Sequence, residues 1–497
     1  MPHIRRTQHL GLAGLLVIAV AFTALQLTAV TGRASPDSKN YLSYALSLSG
    51  ESRAEAGRRA IAYSCDSGQH APLDTIPWTS RKAAGKTEAQ CVRRLTDSVA
   101  YWTRNGNTSG MTAPFANQRF MAIFEARPGY PLFLVPFVTA FGAVWGLWLA
   151  GLLVALAGAV CVLLTLRAAG ASRRAGLAGA ALYLALPTGT VAMNPLSDGL
   201  SLALGTVVVL GCTLLLRERP SDTSGAGAGR GAEAAGTRTR AGRRAEAAGP
   251  RVGAGRWADA AGPRVGAGRW ADAAGTRTGA ALVVGGLALM FLVRYSQALL
   301  LAAALAGVLA ARAAWSHRKG RRSTPVLRAA GLCALLAALV YAGAHLLSWP
   351  MGQDSAQDLL THHYQRPDRP DPWPEFFARE RVFWWAWLKR QATYPFLPVL
   401  LALSALALGK RRSAVLPVAV GAGAAGLLNQ AGHPNLDQLL GHRLIVFVWL
   451  LPVLAVPLLL DRSRPGGSSP LPAQPKKVGG GQRDGTVRVV QQAGEGA

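Results

Sequence analysis

The sequence predicts an all-α integral membrane protein with about ten transmembrane helices and a helical first loop outside the cytoplasm. Two features predict this fold class. Half of the 497 residues are apolar and gather in long blocks, and the basic residues behind the net charge of +28 lie between those blocks. A helix rises about 1.5 Å per residue, so about 20 apolar residues cross a hydrocarbon core of ~30 Å.

Ten apolar runs supply the predicted helices, and several reach the required length only with their polar-edged flanks. They cover residues 10–30, 130–166, 175–191, 200–216, 280–293, 298–311, 329–347, 395–408, 414–428 and 444–460. The run 130–166 is long enough for two crossings. Counting it twice would place most basic clusters outside, so its first part is predicted to be a re-entrant or interfacial helix and only its second part to span.

The basic clusters decide the predicted topology. They fall in alternate loops, which share one side of the membrane, and the positive-inside bias makes that side the cytoplasm. The clusters are Arg5 with Arg6, Arg167 with Arg173 and Arg174, the stretches 217–277, 312–328 and 410–412, and Arg462 with Arg464. Ten crossings with both termini cytoplasmic satisfy every cluster. This placement also argues against the nucleic acid partner that such a charge would indicate in a soluble protein.

The same argument divides the chain into parts. The first run resembles a signal peptide. We expect it to be a retained anchor, because without this crossing the later basic loops would lie on the opposite side of the membrane. The parts are a cytoplasmic N-terminus (1–9), the first span (10–30), extracytoplasmic loop 1 (31–129), the re-entrant helix with spans two to four (130–216), a disordered cytoplasmic repeat loop (217–279), spans five to ten with an extracytoplasmic loop at 349–393 (280–460), and a disordered cytoplasmic tail (461–497). The excess of Ala, Gly and Arg indicates a GC-rich bacterium, whose plasma membrane would hold the chain.

Loop 1 contains the two cysteines that lie outside apolar runs, Cys65 and Cys91. On the outer face of a membrane, cysteines are able to form disulfides. The sequence leaves two alternatives: a disulfide between Cys65 and Cys91, or two free thiols.

The loop 217–279 contains a 13-residue tandem repeat, seen as AAGPRVGAGRWAD from Ala247 and again from Ala260. Gly, Ala and Arg repeats of this kind have too little apolar surface to offset the chain entropy lost on folding, so disorder is predicted. Attraction of the arginines to anionic lipid headgroups is the alternative interpretation.

The outer loop 349–393 combines the string HHY from His362 with a Pro-rich run and the aromatic string FFARERVFWWAWLKR. Tryptophans flanked by basic residues are typical of a helix at the membrane surface or of an aromatic belt. His362, His363, His433 and His442 lack the spacing of metal ligands, so we expect them to be solvated or interfacial.

No Walker loop, dinucleotide fingerprint, zinc-protease motif or nucleophile elbow stands in a context that supports its chemistry. Polar residues at the edges of apolar runs are more informative, because ionisable groups beside hydrocarbon are costly. Asp37 is the first of them, and Asp is also favoured as a cap for the helix predicted to start near Ser38.

Several such residues follow in a distinctive order. Asp37, Tyr41 and Ala45 lie in helical spacing after the first run, RPGYP begins at Arg127, NPLSD ends at Asp198, and Arg294 and Arg443 precede later apolar helices. This ordered set resembles the GT-C superfamily of polytopic membrane glycosyltransferases, which includes protein O-mannosyltransferases and the aminoarabinose transferases that act on lipid A. The resemblance covers most of the chain outside the repeat loop and the tail.

The resemblance implies that a sugar moves from a polyprenyl-phosphate donor to an extracytoplasmic acceptor with inversion. Such a transfer needs a carboxylate that accepts the acceptor's proton and cations that hold the departing phosphate. Asp37 is expected to be this base, with helix capping as its alternative role. Arg294 and Arg443 are expected to hold the phosphate, since guanidinium offers a fork of donors, or else to snorkel to the headgroups.

Arg127, Tyr130 and Asp198 complete the expected substrate-binding residues. Asp198 is preferred as a helix cap, and the alternatives are that it assists Asp37 or helps to hold a divalent cation; no other cofactor is predicted. One departure is Ser38, which stands where the related families have Glu. A catalytically inactive GT-C-like scaffold is therefore an alternative function, and a lipid or solute transporter is another. The sequence identifies neither the sugar nor the acceptor.

Overall fold

The computed structural model describes residues 2–70, 87–217, 265–320, 323–411, 413–436 and 442–461, and all regular structure in these ranges is helical. The helices are α1 (Pro2–Leu27), α2 (Ser38–Leu48), α3 (Arg53–Gln69), α4 (Glu88–Arg104), α5 (Gln118–Glu125), α6 (Gly129–Ala168), α7 (Arg173–Ala185), α8 (Pro187–Met193), α9 (Ser197–Leu215), α10 (Val265–Arg318), α11 (Thr324–Leu346), α12 (Gly352–Leu360), α13 (Trp373–Thr393), α14 (Phe396–Lys410), α15 (Val415–Ala431), a 3₁₀ turn (Val446–Trp449) and α16 (Leu450–Leu460).

Four of the described helices are long and apolar enough to cross a membrane. These are α6, α9, α11 and the part of α10 from Gly275 to Arg318, and the number rises to six if each bent pair, α7 with α8 and α13 with α14, is one span. Shorter apolar helices cover Leu12–Leu27, Val415–Ala431 and Val446–Leu460. The chain therefore has the character predicted for an α-helical membrane protein, while the count of about ten spans stays a prediction.

Helix α6 is broken at Gly142, where φ is 72° and ψ is 178°, a conformation that glycine alone adopts readily. A Cβ atom added to Gly146 would lie 2.6 Å from the carbonyl oxygen of Phe137. Nine residues of continuous helix would separate these positions by ~13 Å, so the two arms of α6 fold back on each other. A break thus divides the run 130–166, as the re-entrant interpretation requires.

Helix α10 is broken at Arg294, where φ is −164° and ψ is 84°. Before the break, a Cβ atom added to Gly286 would lie 3.4 Å from the Leu204 oxygen of α9. After the break, a methyl group of Leu301 would lie 3.6 Å from a Cβ atom added to Gly205 of α9. A continuous helix would place residues 286 and 301 ~22 Å apart, so α10 also folds back. This fold places Arg294 at the tip of a helical hairpin that packs against α9.

The start of α10 corrects one prediction. Residues 265–279 are helical, although they belong to the loop that was predicted to be disordered. Alanine is the strongest helix former, and no proline follows Pro263 before the apolar run, so this end of the repeat extends the hairpin helix. The rest of the repeat loop and the tail from residue 462 lie outside the described residues.

Loop 1 folds into helices α2 to α5, which share a core with the first arm of α6. Tyr41, Leu42 and Phe124 of loop 1 cluster in this core with Tyr130 and Leu134 of α6. Cys65 on α3 and Cys91 on α4 form a disulfide with Cα atoms 5.6 Å apart, so the disulfide alternative is confirmed. The loop therefore packs as a helical cap on α6 and fixes the position of the segment between α1 and α2.

Candidate functional site

Five of the residues singled out in the sequence form one arginine–aspartate cluster. We use this name for Asp37, Arg127, Asp198, Arg294 and Arg443. Asp37 precedes α2, Asp198 lies in the first turn of α9, Arg294 lies at the break of α10, and Arg443 precedes the 3₁₀ turn. These places share one end of the helical bundle, where helix ends that are remote in sequence meet.

Arg443 bridges the two aspartates of the cluster. Its Nη1 lies 2.7 Å from Oδ2 of Asp37, and its Nε lies 2.6 Å from Oδ2 of Asp198. Arg294 donates through Nη1 to the other oxygen of Asp198, and Gln297 donates to the same oxygen at 3.3 Å. The side chain of Asp198 is 0% exposed, and Arg294 is 7% exposed. Both oxygens of a fully buried carboxylate are thus occupied by cationic or amide donors.

These contacts correct the expected role of Asp198. The N-cap of α9 is Leu196, and no side chain caps this helix, so Asp198 is not the predicted cap. The helix starts at Ser197, so Asp198 lies inside its first turn. The Asp198 carboxylate points into the bundle toward Arg294. Arginines contact both oxygens of Asp198, and its alternative role in holding a divalent cation stays a prediction.

The alternative roles of Asp37, Arg294 and Arg443 do not match the geometry either. Asp37 stands at the N-cap position of α2, but its side chain makes no capping hydrogen bond. Arg294 and Arg443 turn inward to carboxylates and do not snorkel outward. All three side chains form ion pairs within one site, and none of them caps a helix or points toward headgroups.

Tyr41 connects the remaining candidates to the cluster. Arg127 donates from Nη1 to the Tyr41 hydroxyl at 3.3 Å, and that hydroxyl lies 2.8 Å from Oγ of Ser197, next to Asp198. The ring of Tyr130 packs edge-to-face on Tyr41, with centroids 5.2 Å apart. Tyr41 entered the sequence prediction only through its helical spacing after Asp37 and Ser197 only as part of the string NPLSD, while Gln297 was not predicted.

The cluster carries more positive than negative charge. Three guanidinium groups face two carboxylates, and Lys39 adds a positive charge near Asp37. Within the described part of the chain, Nε of Arg127 and Nε of Arg294 are buried without a hydrogen-bond partner. Buried donors without partners are costly. The side chains of Arg127, Arg294 and Arg443 line the cavity and are the cations that an anion there would meet.

Asp37 is the carboxylate of the cluster that a ligand can reach, since its side chain is 24% exposed. Burial would raise the pKa of Asp37, but the charges of Arg443, Lys39 and Arg127 and the hydrogen bond from Arg443 outweigh burial and lower it. Asp37 is therefore ionised at neutral pH. Its strength as a base is reduced for as long as Arg443 holds it.

Four residues of the cluster line a cavity of about 1680 Å³. Asp37, Arg127, Arg294 and Arg443 contribute charged groups to its wall. The wall also contains many aromatic side chains, namely Phe120, Tyr295, Trp373, Phe376, Phe383, Trp387, Phe396 and Trp449, together with further polar groups. A wall that combines cationic and aromatic groups suits a ligand with an anionic head and an apolar body.

Helix α13 forms part of the aromatic wall and also has an exposed aromatic face. Phe383 and Trp387 line the cavity, whereas Phe377 is 63% and Trp385 is 62% exposed, and Lys389 lies 5.1 Å from the ring centroid of Trp385. The helix bends by 85° into α14. These properties are those predicted for a helix that lies along the membrane surface.

Three of the histidines that were expected to be solvated or interfacial line the cavity: His363, His433 and His442. Burial is the largest cause that lowers the pKa of His433 and of His442 to about 4, so both are neutral at pH 7. The hydrogen bond to Asp358 raises the pKa of His363. Among the described residues, no group of three or more His, Cys, Asp or Glu side chains has an arrangement that could hold a metal ion.

The site is thus a cationic cluster in the wall of a large cavity, which also contains Asp37, the partly exposed carboxylate of the cluster, and the pair of His363 and Asp358. No family model, curated protein or solved structure matches the chain.

Proposed function

We propose that this chain is a GT-C-type membrane glycosyltransferase that moves a sugar from a polyprenyl phosphate to an extracytoplasmic acceptor with inversion. The observation that carries the proposal is the arginine–aspartate cluster in the wall of a cavity that is also lined by many aromatic side chains. The proposal includes ten spans, a re-entrant first arm of α6, both termini in the cytoplasm and a bacterial plasma membrane. The cluster then faces outward beside the edge of the bilayer.

In this proposal the donor phosphate binds to the arginines. Arg294, Arg443 and Arg127 line the cavity, and two of them have a buried Nε without a partner. Guanidinium groups hold phosphate oxygens through paired hydrogen bonds. The aromatic wall of the cavity accommodates the start of the polyprenyl chain, because burying its methyl and methylene groups is favourable at about 25 cal/mol per Å².

Asp37 is the proposed base for the acceptor hydroxyl. Its bond to Arg443 lowers its basicity in the unliganded site. A phosphate that binds Arg443 competes with Asp37 for the guanidinium, so donor binding weakens that bond and raises the basicity of Asp37. A base then becomes available when the donor is in place.

The test is transfer of radiolabelled sugar by purified protein in proteoliposomes, with a panel of polyprenyl-phosphate sugars. We expect Asp37→Asn to lower transfer by about 10²- to 10⁴-fold, since Asn keeps the shape of the side chain but accepts no proton. Asp97→Asn, on the exposed surface of α4, is the matched control and should leave transfer unchanged. Full transfer by Asp37→Asn would exclude the base role.

A transporter of the same lipid is a second candidate function, favoured by the helix breaks at Gly142 and Arg294. Broken helices beside a binding site are typical of secondary transporters. Movement of a labelled polyprenyl phosphate across the proteoliposome bilayer without chemical conversion would support it. Lipid binding with neither transfer nor transport would support the inactive scaffold, to which the departure at Ser38 points.

A further inference from the structure

His363 lies in the wall of the same cavity as Asp37 and Arg443. Its Nδ1 lies 3.0 Å from Oδ1 of Asp358, and its backbone N–H donates to the Asp358 carbonyl at 2.8 Å. Asp358 is 7% exposed, so its carboxylate has few competing partners in solvent. A carboxylate at Nδ1 fixes the tautomer of the imidazole and leaves Nε2 as the nitrogen that meets a ligand.

The backbone around His363 is strained. His362, His363 and Tyr364 have φ values of 51°, 63° and 57°, in the left-handed region that residues other than glycine rarely adopt. Loop 1 contacts this turn, because the amide of Asn117 donates to the His363 carbonyl at 2.6 Å and the ring of Phe120 lies 4.4 Å from the imidazole. Strain that surrounding contacts maintain is common at functional sites. Here those contacts hold the imidazole in the cavity wall.

The chemistry of the proposed transfer requires an additional positive charge or proton. The donor phosphate is a diester with one negative charge, whereas the leaving phosphate is a monoester whose second pKa is about 6. Lys39 is near Asp37 but does not line the cavity, so a phosphate at the cluster meets three arginines, two of which the paired aspartates offset. This balance matches the charge of the diester more closely than that of the dianion. Stabilisation is needed where the second charge develops.

We propose that His363, oriented by Asp358, donates a proton to the phosphate that leaves the sugar, an inference that rests on the proposed function. The bond between the anomeric carbon and the phosphate oxygen breaks. Its electron pair goes to that oxygen, which takes the proton from Nε2 of His363. The acceptor oxygen forms its bond to the anomeric carbon and gives its proton to Asp37. Water in the cavity then returns that proton to His363, which restores both groups.

The groups around His363 favour its protonated form. The hydrogen bond to Asp358 is the largest effect and, with the charge of Asp37, raises the pKa of His363 above 6.5, although burial and Lys39 act in the opposite direction. His433, on the neighbouring loop, is neutral at pH 7. A further charged group on the elements packed here is Arg119, which pairs with both Asp354 and Asp368.

The test compares the affinity of purified full-length protein for a short-chain polyprenyl phosphate and for its methyl ester, which keeps a single negative charge. Wild type should prefer the phosphate, and the preference should shrink as the pH rises through the pKa of His363. His363→Gln should weaken binding of the phosphate by about tenfold and leave binding of the methyl ester unchanged. His362→Gln is the matched control, since His362 lies in the same left-handed turn but does not line the cavity.

Two further variants separate a chemical role of His363 from a structural one. His363→Asn suits the left-handed backbone and should reproduce the loss shown by Gln. Asp358→Asn removes the charge that favours the imidazolium, so it should lower the pH at which the preference disappears. Equal affinity of wild type and His363→Gln for the phosphate at every pH would overturn this inference alone. Binding of neither lipid by the wild type would count against the proposed function itself.

Discussion

Asp198 and Asp37 share the partner Arg443 but differ in their surroundings. Asp198 is fully buried and accepts from Arg294, Arg443 and Gln297, whereas Asp37 is 24% exposed, pairs with Arg443 and lines the cavity. Asp198 is completely buried and does not line the cavity, so a ligand in the cavity does not reach it. The comparison therefore separates an aspartate that holds the helices together from an aspartate that a substrate can reach.

The difference also explains how Arg443 is positioned. Its contact with the buried Asp198 fixes one edge of the guanidinium, and its Nη1 edge points to Asp37. The contact between Arg443 and the partly exposed Asp37 is easier to break than its contact with the buried Asp198, because solvent compensates part of the loss. We therefore expect an incoming anion to displace Asp37 from Arg443 and to leave Asp198 in place.

The largest expected effect is that of Asp198→Asn on folding. Asn has nearly the same shape but removes the charge that compensates the buried Arg294, and breaking one side of a buried pair costs about 3–5 kcal/mol. We expect a large fall in the unfolding midpoint of the purified protein in detergent, together with poor yield. Asp37→Asn is the control and should change the free energy of unfolding by about 1 kcal/mol or less. Equal losses in the two variants would contradict the distinction between the aspartates.

A smaller effect is expected from removing the disulfide of loop 1. Cys65 and Cys91 are 26 residues apart, and closing a loop of this order stabilises a fold by roughly 3 kcal/mol. The bridge joins α3 to α4, in the domain that follows Asp37, and does not touch α9. Replacing both cysteines with serine should therefore speed hydrogen exchange in α2 to α4 while the amides of α9 keep their protection.

The matched variant for this prediction is a serine replacement of Cys161, a free cysteine of α6. It should leave exchange in loop 1 unchanged. If the double serine variant exposed α9 as much as α2, Asp37 and Asp198 would belong to one cooperative unit. The contrast between them would then be one of exposure alone.

The sequence predicted the members of the cluster better than their partners. Asp37, Asp198, Arg294 and Arg443 were found because each borders an apolar run, and helix ends that share one side of a membrane lie near one another. Their pairing was not predictable. Arg443 and Asp198 are 245 residues apart, and no local pattern states which helices become neighbours. The cap at Asp198 was misassigned because α9 begins at Ser197, and helix starts are uncertain by one or two residues. The start of α2 after Asp37 was predicted correctly, but Asp37 makes no capping hydrogen bond.

The environment of the cavity histidines was not predictable from the sequence. His363 was expected to be solvated or interfacial because it lacks the spacing of metal ligands, and its side chain is 52% exposed. The string HHY contains no glycine, so the left-handed turn at His363 was not predictable. Its role depends on contacts with Asn117 and Phe120, which lie almost 250 residues earlier. Glycine is the residue type expected at a break such as that at Gly142. The apolar run contains several glycines, however, and its pattern does not show which of them turns the chain.

The smallest expected effect concerns the dependence of stability on pH. Because the folded-state pKa of Asp37 lies below its unfolded value of about 3.9, its pair with Arg443 contributes fully above that value and is lost as the pH falls through the folded pKa. Unfolding of wild type and Asp37→Asn in detergent should differ by about 1 kcal/mol at neutral pH and converge in acid. Asp97→Asn should show no such convergence. A difference that persisted at the lowest pH would mean that the charge of Asp37 does not hold Arg443, and the proposed exchange of Asp37 for phosphate would lose its basis.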